Sequence, residues 1–164
     1  MKTYVLPAIK LTVILLVILA GLYPLAIAGV GKFTPGHGDG ETVQYKGRVV
    51  GYANIGQKFT KDEYFWPRPS AVDYHADGSG GSNKGPSNPD YLKDIEKRIQ
   101  DFLKKNPEVT RAEIPAELVT ASGSGLDPDL SPAGALVQVK RIAKARNVTW
   151  QQVDEIVSEH TERP

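Results

Sequence analysis

A loop rich in glycine and serine is the first candidate for chemistry in this sequence. Its residues are Ser79, Gly80, Gly81, Ser82 and Asn83. Consecutive glycines let backbone N–H groups turn toward one point, and hydroxyls add further donors, so such a loop suits an anion such as phosphate. The same residues also favour a tight exposed turn, because glycine adopts positive φ angles and serine hydrogen-bonds to nearby backbone. The residues alone leave both interpretations open.

A second loop of the same style covers residues 120–130 and contains Ser122, Ser124 and Asp127. Its oxygens suit a cation, or they form an Asx-type turn ahead of a helix. Serines beside glycines also raise the possibility of a hydrolase, which needs a positioned base. The three histidines of the chain lie far apart in sequence, and no spacing predicts one beside these serines.

Several classes of protein are excluded by what the sequence lacks. It has no Walker A pattern, no His-Glu-x-x-His site, no Gly-x-Ser-x-Gly elbow and no Gly-x-Gly-x-x-Gly turn. It has no cysteine, which removes disulfides, thiolate zinc sites and thiol nucleophiles. A net charge of +1 offers nothing to attract nucleic acid. We therefore expect no catalytic residue, no metal site and no nucleic-acid partner.

Aromatic residues are concentrated in residues 64–71, where Tyr64, Phe65 and Trp66 precede Arg68 and two prolines. Aromatic and arginine side chains beside prolines are typical of a rigid surface that binds another protein. Aromatic side chains also pack in cores, so a structural role is the alternative.

The N-terminal region predicts a membrane anchor. Residues 11–31 carry no charge, and at about 1.5 Å of rise per residue they match the hydrocarbon core of a bilayer. Lys2 and Lys10 precede this segment and Lys32 follows it, so the more basic N-terminal end should stay in the cytoplasm. Ala26, Ile27 and Ala28 also fit a signal-peptidase site, which leaves a cleaved signal peptide as the alternative. Both interpretations export the rest of the chain.

The elements that must position the loops follow this segment. We predict a cytoplasmic N-terminus (residues 1–10), a transmembrane helix (11–31), a linker (32–41) and one small extracytoplasmic α/β domain (42–164). One or two strands are expected within residues 42–59. Helices should begin after Asn88, Ser131 and Thr149, which are typical N-cap residues. Their predicted inward faces are Leu92, Ile95, Ile99, Phe102 and Leu103, then Leu136, Val139, Ile142 and Ala143, then Val153, Ile156 and Val157.

Taken together, these segments resemble the C subunit of Kdp-type potassium-transporting ATPases. The matching segments are Gly56, Gln57 and Phe59, then residues 64–71, 79–83, 85–89, 119–128 and 131–132, and the terminal His160, Thr161 and Glu162. They span most of the chain in the order of that family. The apolar segment falls where the family keeps its single membrane helix, which favours a retained anchor over a signal peptide.

The resemblance implies an accessory, non-catalytic subunit in the cell (inner) membrane. Its partners would be a channel-like potassium-binding subunit, a P-type ATPase subunit and membrane lipid, and potassium would be the ion that the complex transports. The family is described as a catalytic chaperone that raises the ATP affinity of the pump subunit. The resemblance makes Ser79, Gly80, Gly81, Ser82 and Asn83 a nucleotide-contacting loop, and we expect no tightly bound cofactor. The expected partner surface comprises Tyr64, Phe65, Trp66, Arg68, Ser122, Ser124 and Asp127.

Topology opposes direct contact with ATP, because the charge bias places the loop at residues 79–83 outside the cytoplasm. We therefore expect the exported domain to cap the outer face of the channel-like subunit and to influence ATP use indirectly. Two other hypotheses stay open at this stage. One is an anchored or exported serine hydrolase that uses Ser122 or Ser124, and the other is a freestanding extracytoplasmic binding module.

Overall fold

A computed structural model describes residues 2–162, which form two compact units that divide between Ala53 and Asn54. The structure is mostly helical. The first unit contains α1 (Lys2–Leu16), a π-helical turn (Val17–Leu22), α2 (Tyr23–Gly31), a 3₁₀ turn (Pro35–Gly38), β1 (Thr42–Tyr45) and β2 (Arg48–Tyr52). The second contains α3 (Pro89–Lys105), two 3₁₀ turns (Arg111–Glu113 and Ala116–Leu118), α4 (Pro132–Leu136), α5 (Val139–Arg146) and α6 (Trp150–Glu159).

The first unit begins with one continuous apolar helical segment, Thr3–Gly31, which by length and composition is able to cross a membrane. Its leucines, isoleucines and valines are exposed on every side, as expected for a helix whose solvent is lipid. The π-helical turn lies just before Pro24, whose missing N–H and bulky ring disturb the regular hydrogen-bond ladder. The predicted span is confirmed as a helix, and the helix extends further toward the N-terminus than predicted.

A β-hairpin follows the helix. Strands β1 and β2 pair antiparallel, and Lys46 and Gly47 connect them with positive φ angles of 51° and 75°, as a type I′ turn requires. The predicted strands are therefore present. They belong to the first unit, however, and the described part of the second unit contains no strand. The predicted α/β class is thus too broad, because the strands form only this exposed hairpin and the rest is helix and loop.

The predicted helix starts are confirmed. The side chain of Asn88 accepts hydrogen bonds from the N–H groups of Asp90 (3.0 Å) and Tyr91 (3.1 Å) at the start of α3. Ser131 accepts from the N–H of Gly134 at the start of α4 (3.0 Å), and Thr149 forms a capping box with Gln152 before α6. Each cap satisfies backbone donors that have no partner within the helix.

One predicted helix is broken in two. The sequence pattern predicts a single helix from Pro132 to Asn147, whereas the structure ends α4 at Leu136 and starts α5 at Val139. The Gln138 N–H donates to the Ala135 carbonyl oxygen (2.9 Å), three residues back, so the α-helical register is lost there. Asn147 ends α5 in the left-handed conformation, which asparagine adopts more readily than most residues.

The core of the second unit lies between α5 and α6. Its buried residues are Val139, Ile142, Ala143 and Val153, with Phe65 and Val157 packed against them. Three residues predicted to face inward do not: Leu92, Leu136 and Ile156 are 51%, 46% and 50% exposed. The break after α4 interrupts the 3.6-residue period, so Leu136 does not share the face of Val139.

Candidate interaction site

Three distant loops of the second unit meet through backbone hydrogen bonds. The Gly56 N–H donates to the Leu126 carbonyl oxygen (2.8 Å), and the Gly80 N–H donates to that of Ser124 (2.8 Å). The Ser122 N–H donates to the Pro69 carbonyl oxygen (3.0 Å), which joins a fourth segment. We call this assembly the loop junction, comprising Gly56 and residues 66–74, 79–81 and 122–127. It unites several of the segments on which the family resemblance depends.

An ion pair ties the aromatic segment to the second serine loop. Arg68 Nη1 lies 2.8 Å from Asp127 Oδ2, and the two side chains are 26% and 24% exposed. This geometry gives a charge-assisted hydrogen bond that is only partly screened by water. The Nε of Arg68 is buried without a partner in the described structure, so the guanidinium is held in place without being fully satisfied.

Ser70 and Tyr74 complete the junction beside this ion pair. The Ser70 hydroxyl donates to the Gly125 carbonyl oxygen (2.7 Å) and accepts from the Tyr74 N–H (2.9 Å). The Tyr74 hydroxyl donates to the Arg68 carbonyl oxygen (2.5 Å). Burial, assisted by the negative charge of Asp127 and opposed by Arg68, raises the pKa of Tyr74 to about 12. The phenol is therefore neutral near pH 7 and remains a donor.

Close backbone approach explains the glycine at position 125. Its φ angle is +70°, and a Cβ there would lie 2.6 Å from Val72 Cγ2 and 2.8 Å from the Gly80 carbonyl oxygen. A side chain would thus be strained by conformation and by contact at once. Gly123, two residues earlier, has open space where its Cβ would be.

Two buried polar side chains, Gln138 and Arg141, hold the backbone of the aromatic segment in place, and we call this pair the clamp. Gln138 is fully buried, and its side-chain oxygen accepts from the Trp66 N–H (2.8 Å) while its Nε2 donates to the Trp66 carbonyl oxygen (3.2 Å). The Arg141 guanidinium lies over the Trp66 ring, 4.3 Å from its centroid, and donates to the carbonyl oxygens of Asp62 (2.6 Å) and Tyr64 (3.1 Å).

Arg141 is charged although no carboxylate pairs with it in the described structure. Burial lowers the pKa of Arg141 to about 10, with Asp62 acting in the opposite sense, so the group is still protonated at neutral pH. Sequence reasoning missed the role of Gln138 and Arg141. Their spacing with Ile142, at i, i+3 and i+4, places them on the apolar face and is the signal that was available.

The predicted partner residues fall into two groups. Tyr64 is 38% exposed, whereas Phe65 packs against the helical core and the Trp66 ring packs on Phe102, with centroids 6.4 Å apart. Ser122 is buried, and its hydroxyl accepts from the Gly125 N–H (2.9 Å). The Ser124 hydroxyl accepts from the Leu126 N–H (3.1 Å). Tyr64 therefore lies at the surface, whereas Phe65, Trp66 and Ser122 are engaged in contacts within the second unit.

The serines have no catalytic setting. Within residues 2–162, no histidine ring is hydrogen-bonded to Ser122 or Ser124; the ring nitrogens of His37 and His160 contact the carbonyl oxygens of Lys32 and Ile156 instead. A serine nucleophile needs a base within hydrogen-bonding distance. The arrangement around both hydroxyls stabilises a turn.

The first serine loop contributes only in part to the junction. The Ser79 hydroxyl (3.1 Å) and the Gly80 N–H both donate to the Ser124 carbonyl oxygen. Gly81 is half-buried against Gly123, whereas Ser82 and Asn83 are exposed. Two donors that the phosphate interpretation requires are therefore used to join the two loops. Among the described residues, no group of three or more histidines and carboxylates is placed to hold a metal ion.

A cavity of about 310 Å³ adjoins the junction and is lined in part by Trp66, Arg68, Tyr74 and Phe102. Two of its cations are already paired, Lys58 with Asp73 (2.5 Å) and Arg68 with Asp127. The hydrogen bond from Lys58 lowers the pKa of Asp73. Paired cations attract a phosphate weakly, so the aromatic lining suits an apolar side chain better.

The described structure combines a helix that is able to cross a membrane with a unit whose loops are joined by structural hydrogen bonds. A sequence profile of the family described as "K+-transporting ATPase, c chain" matches residues 5–164. The potassium-transporting ATPase KdpC subunit of Flavobacterium psychrophilum is 54% identical over 156 residues, covering 95% of this chain and 85% of that protein. Those of Flavobacterium johnsoniae and Caldanaerobacter subterraneus are 57% and 46% identical, covering 91% and 94% of this chain and 81% and 80% of their own lengths.

The chain belongs to this KdpC family and is an accessory, non-catalytic subunit of a potassium-transporting ATPase. The resemblance seen in the sequence is thereby confirmed.

Proposed function

We propose that the second unit lies on the extracytoplasmic side of the cell membrane and binds the channel-like potassium-binding subunit, while the anchor helix contacts lipid and the membrane helices of the complex. In this position the chain assists assembly of the channel-like subunit with the P-type ATPase subunit. The loop junction carries the proposal, because it gathers several of the segments shared with the family into one assembly joined by hydrogen bonds.

The charges around the anchor support this orientation. Lys2 and Lys10 lie before the apolar segment and Lys32 lies after it, and basic residues near a membrane helix favour the cytoplasmic side. The membrane-capable helix is continuous up to Gly31, so the segment from Lys32 onward would leave the bilayer on the opposite side.

The effect on ATP use is proposed to be indirect. The pump subunit binds ATP, and this chain raises the affinity for ATP by stabilising one arrangement of the complex. The engagement of Ser79 and Gly80 with the Ser124 carbonyl oxygen supports this view over direct contact at residues 79–83.

The test is purification of the full-length chain, tagged at its N-terminus, from its native membrane in mild detergent, followed by mass spectrometry of the copurifying proteins. Recovery of a channel-like subunit and a P-type ATPase subunit is expected. Recovery of the chain alone would contradict the proposal and favour the freestanding binding module.

Two variants test whether residues 64–74 form the surface that binds the other subunits. Tyr64→Ala removes an exposed ring, and Arg68→Ala removes the ion pair with Asp127; both should lower recovery of the other subunits. Arg111→Ala is the matched control, because Arg111 also forms an ion pair, with Glu96 (2.6 Å), away from the junction. Normal recovery with both test variants would show that residues 64–74 are structural only.

A further inference from the structure

The second unit has another apolar surface, which is separate from the loop junction. It is a groove of about 620 Å³ between the end of α6 and the segment that precedes α4, and its apolar lining includes Phe65, Leu130, Ile156 and Val157. Ile156 is 50% exposed although the helical period predicts it to be buried. An apolar side chain left open in this way, beside a core residue such as Phe65, marks a surface that another chain covers.

The rim of this groove is acidic. Asp129 and Glu162 line it, and α6 with the residues that follow it to position 162 carries Asp154, Glu155 and Glu159 and no lysine or arginine. Within residues 2–162 none of these five carboxylates forms an ion pair, although most cations of the second unit are paired. On the adjoining surface, Arg146 is held by the Glu63 carbonyl oxygen (2.7 Å). Among the described residues, the rim therefore presents negative charge that no cation pairs with.

The terminal segment His160, Thr161 and Glu162 also lines this groove. Its local hydrogen bonds fix its position: His160 Nδ1 contacts the Ile156 carbonyl oxygen (2.9 Å), and the Thr161 hydroxyl donates to that of Val157 (2.6 Å). If Nδ1 carries the proton of a neutral ring, His160 Nε2 is left as an acceptor for an N–H group of an incoming chain.

We propose that this groove binds an amphipathic segment of a partner subunit in which lysine or arginine residues flank two or more apolar side chains. The apolar residues cover Ile156 and Val157, and the basic residues face Asp129 and Glu162. Complementary charge selects such a segment over an acidic one. This inference rests on the proposed function, since it requires a partner subunit to be present.

The test uses the full-length, N-terminally tagged chain in the native complex, because a C-terminal tag would lie close to the groove. A photoreactive benzophenone amino acid replaces Ile156 in one variant and Leu92, an equally exposed residue of α3, in the control. Irradiation should crosslink position 156 to a basic, amphipathic peptide of a partner subunit at least about tenfold more than position 92. Separately, Asp129→Lys should lower recovery of the complex by about tenfold, whereas Asp77→Lys, with the same change in charge at an exposed position, should not.

The outcomes separate the two ideas. A crosslink from position 156 to an acidic segment, to lipid or to a second copy of this chain overturns the groove inference. So does an absence of crosslinks when the complex is recovered intact, and in either case the proposed function stands. If Asp129→Lys binds its partners normally, the charge argument is wrong. If the unmodified chain copurifies with no other subunit, the proposed function fails, and the groove inference fails with it.

Discussion

Single atoms decide whether the loop junction forms. The contacts run largely between backbone groups and short side chains, such as the Ser70 hydroxyl with the Gly125 carbonyl oxygen. Backbone segments approach this closely only where side chains are absent, and Gly125 meets this need with a positive φ angle as well.

Replacing Gly125 with alanine should destabilise the second unit by about 1–3 kcal/mol, because the new Cβ meets Val72 and the Gly80 carbonyl oxygen in a left-handed conformation. Gly123→Ala is the control, and should change the free energy of unfolding by less than about 0.5 kcal/mol. Chemical denaturation of the two purified variants measures both. Equal destabilisation would mean that the loops do not approach each other in this way.

The phenol of Tyr74 should lose its proton at a higher pH than that of an ordinary tyrosine. Its pKa is raised from 10.0 to about 12 by burial first and by Asp127 second, so its ultraviolet phenolate signal should appear about two pH units above that of an ordinary tyrosine. Because the folded pKa is the higher one, the stabilising contribution of Tyr74 is complete below about pH 10 and is lost as the pH rises through about 12. Comparison with Tyr74→Phe isolates the signal of this residue. If the rise in phenolate absorbance near pH 12 is unchanged in that variant, the assignment to Tyr74 is wrong.

At the scale of elements, partly buried hydrogen bonds join α5 to residues 62–66. Gln138, at the break between α4 and α5, hydrogen-bonds to the backbone of Trp66. Arg141, one turn later, donates to the carbonyl oxygens of Asp62 and Tyr64. The buried side chains of one helix therefore set the path of an irregular segment that has no secondary structure of its own.

Arg141→Met should destabilise the second unit by about 2–4 kcal/mol. The change leaves the carbonyl oxygens of Asp62 and Tyr64 and the Asn106 side chain without their donor, while apolar volume is largely kept. Lys144→Met, one turn further along α5 and exposed, should have little effect. Thermal unfolding followed by circular dichroism compares them, and similar melting temperatures would show that the clamp is dispensable.

The sequence predicts the helices well where a local signal marks each end. Asn88, Ser131 and Thr149 are caps that act within three residues, so their positions are readable without tertiary knowledge. The break at Gln138 is not readable in this way, because Trp66, its partner, lies 72 residues earlier in the chain. The exposure of Ile156 is missed for a related reason, since a period shows which face is apolar but not what covers it.

The same distinction applies to the site. The sequence identifies the serine loops and the aromatic segment as notable, and the family resemblance indicates that they belong to one function. It does not show that Ser122 is buried or that Ser79 and Gly80 share one acceptor, because these facts depend on tertiary contacts such as that of Ser79 with Ser124, 45 positions later.

At the scale of the whole molecule, the chain consists of an anchor helix with a hairpin and a separate helical unit. No native cysteine is present, so any cysteine introduced by mutation is the unique thiol. This property makes the proposed orientation directly measurable.

Asp77→Cys should react with a membrane-impermeant maleimide from the outside of intact spheroplasts, because residue 77 is exposed and is proposed to be extracytoplasmic. Thr3→Cys should react only after the membrane is permeabilised. Gel shift of the labelled chain reports both, and detergent-solubilised samples confirm that each thiol is reactive. The reverse pattern would invert the topology, and loss of the position-3 thiol from the mature chain would indicate a cleaved signal peptide.

The clamp by Arg141 also concerns the order in which the chain folds. Its bonds to Asp62 and Tyr64 close loops of 79 and 77 residues, and Arg146 reaches Glu63 across 83. Contacts of such long sequence separation form late and slow the search for the native state. Residues 62–74 are therefore synthesised well before the helix that fixes them, and they lack these contacts until α5 has been made.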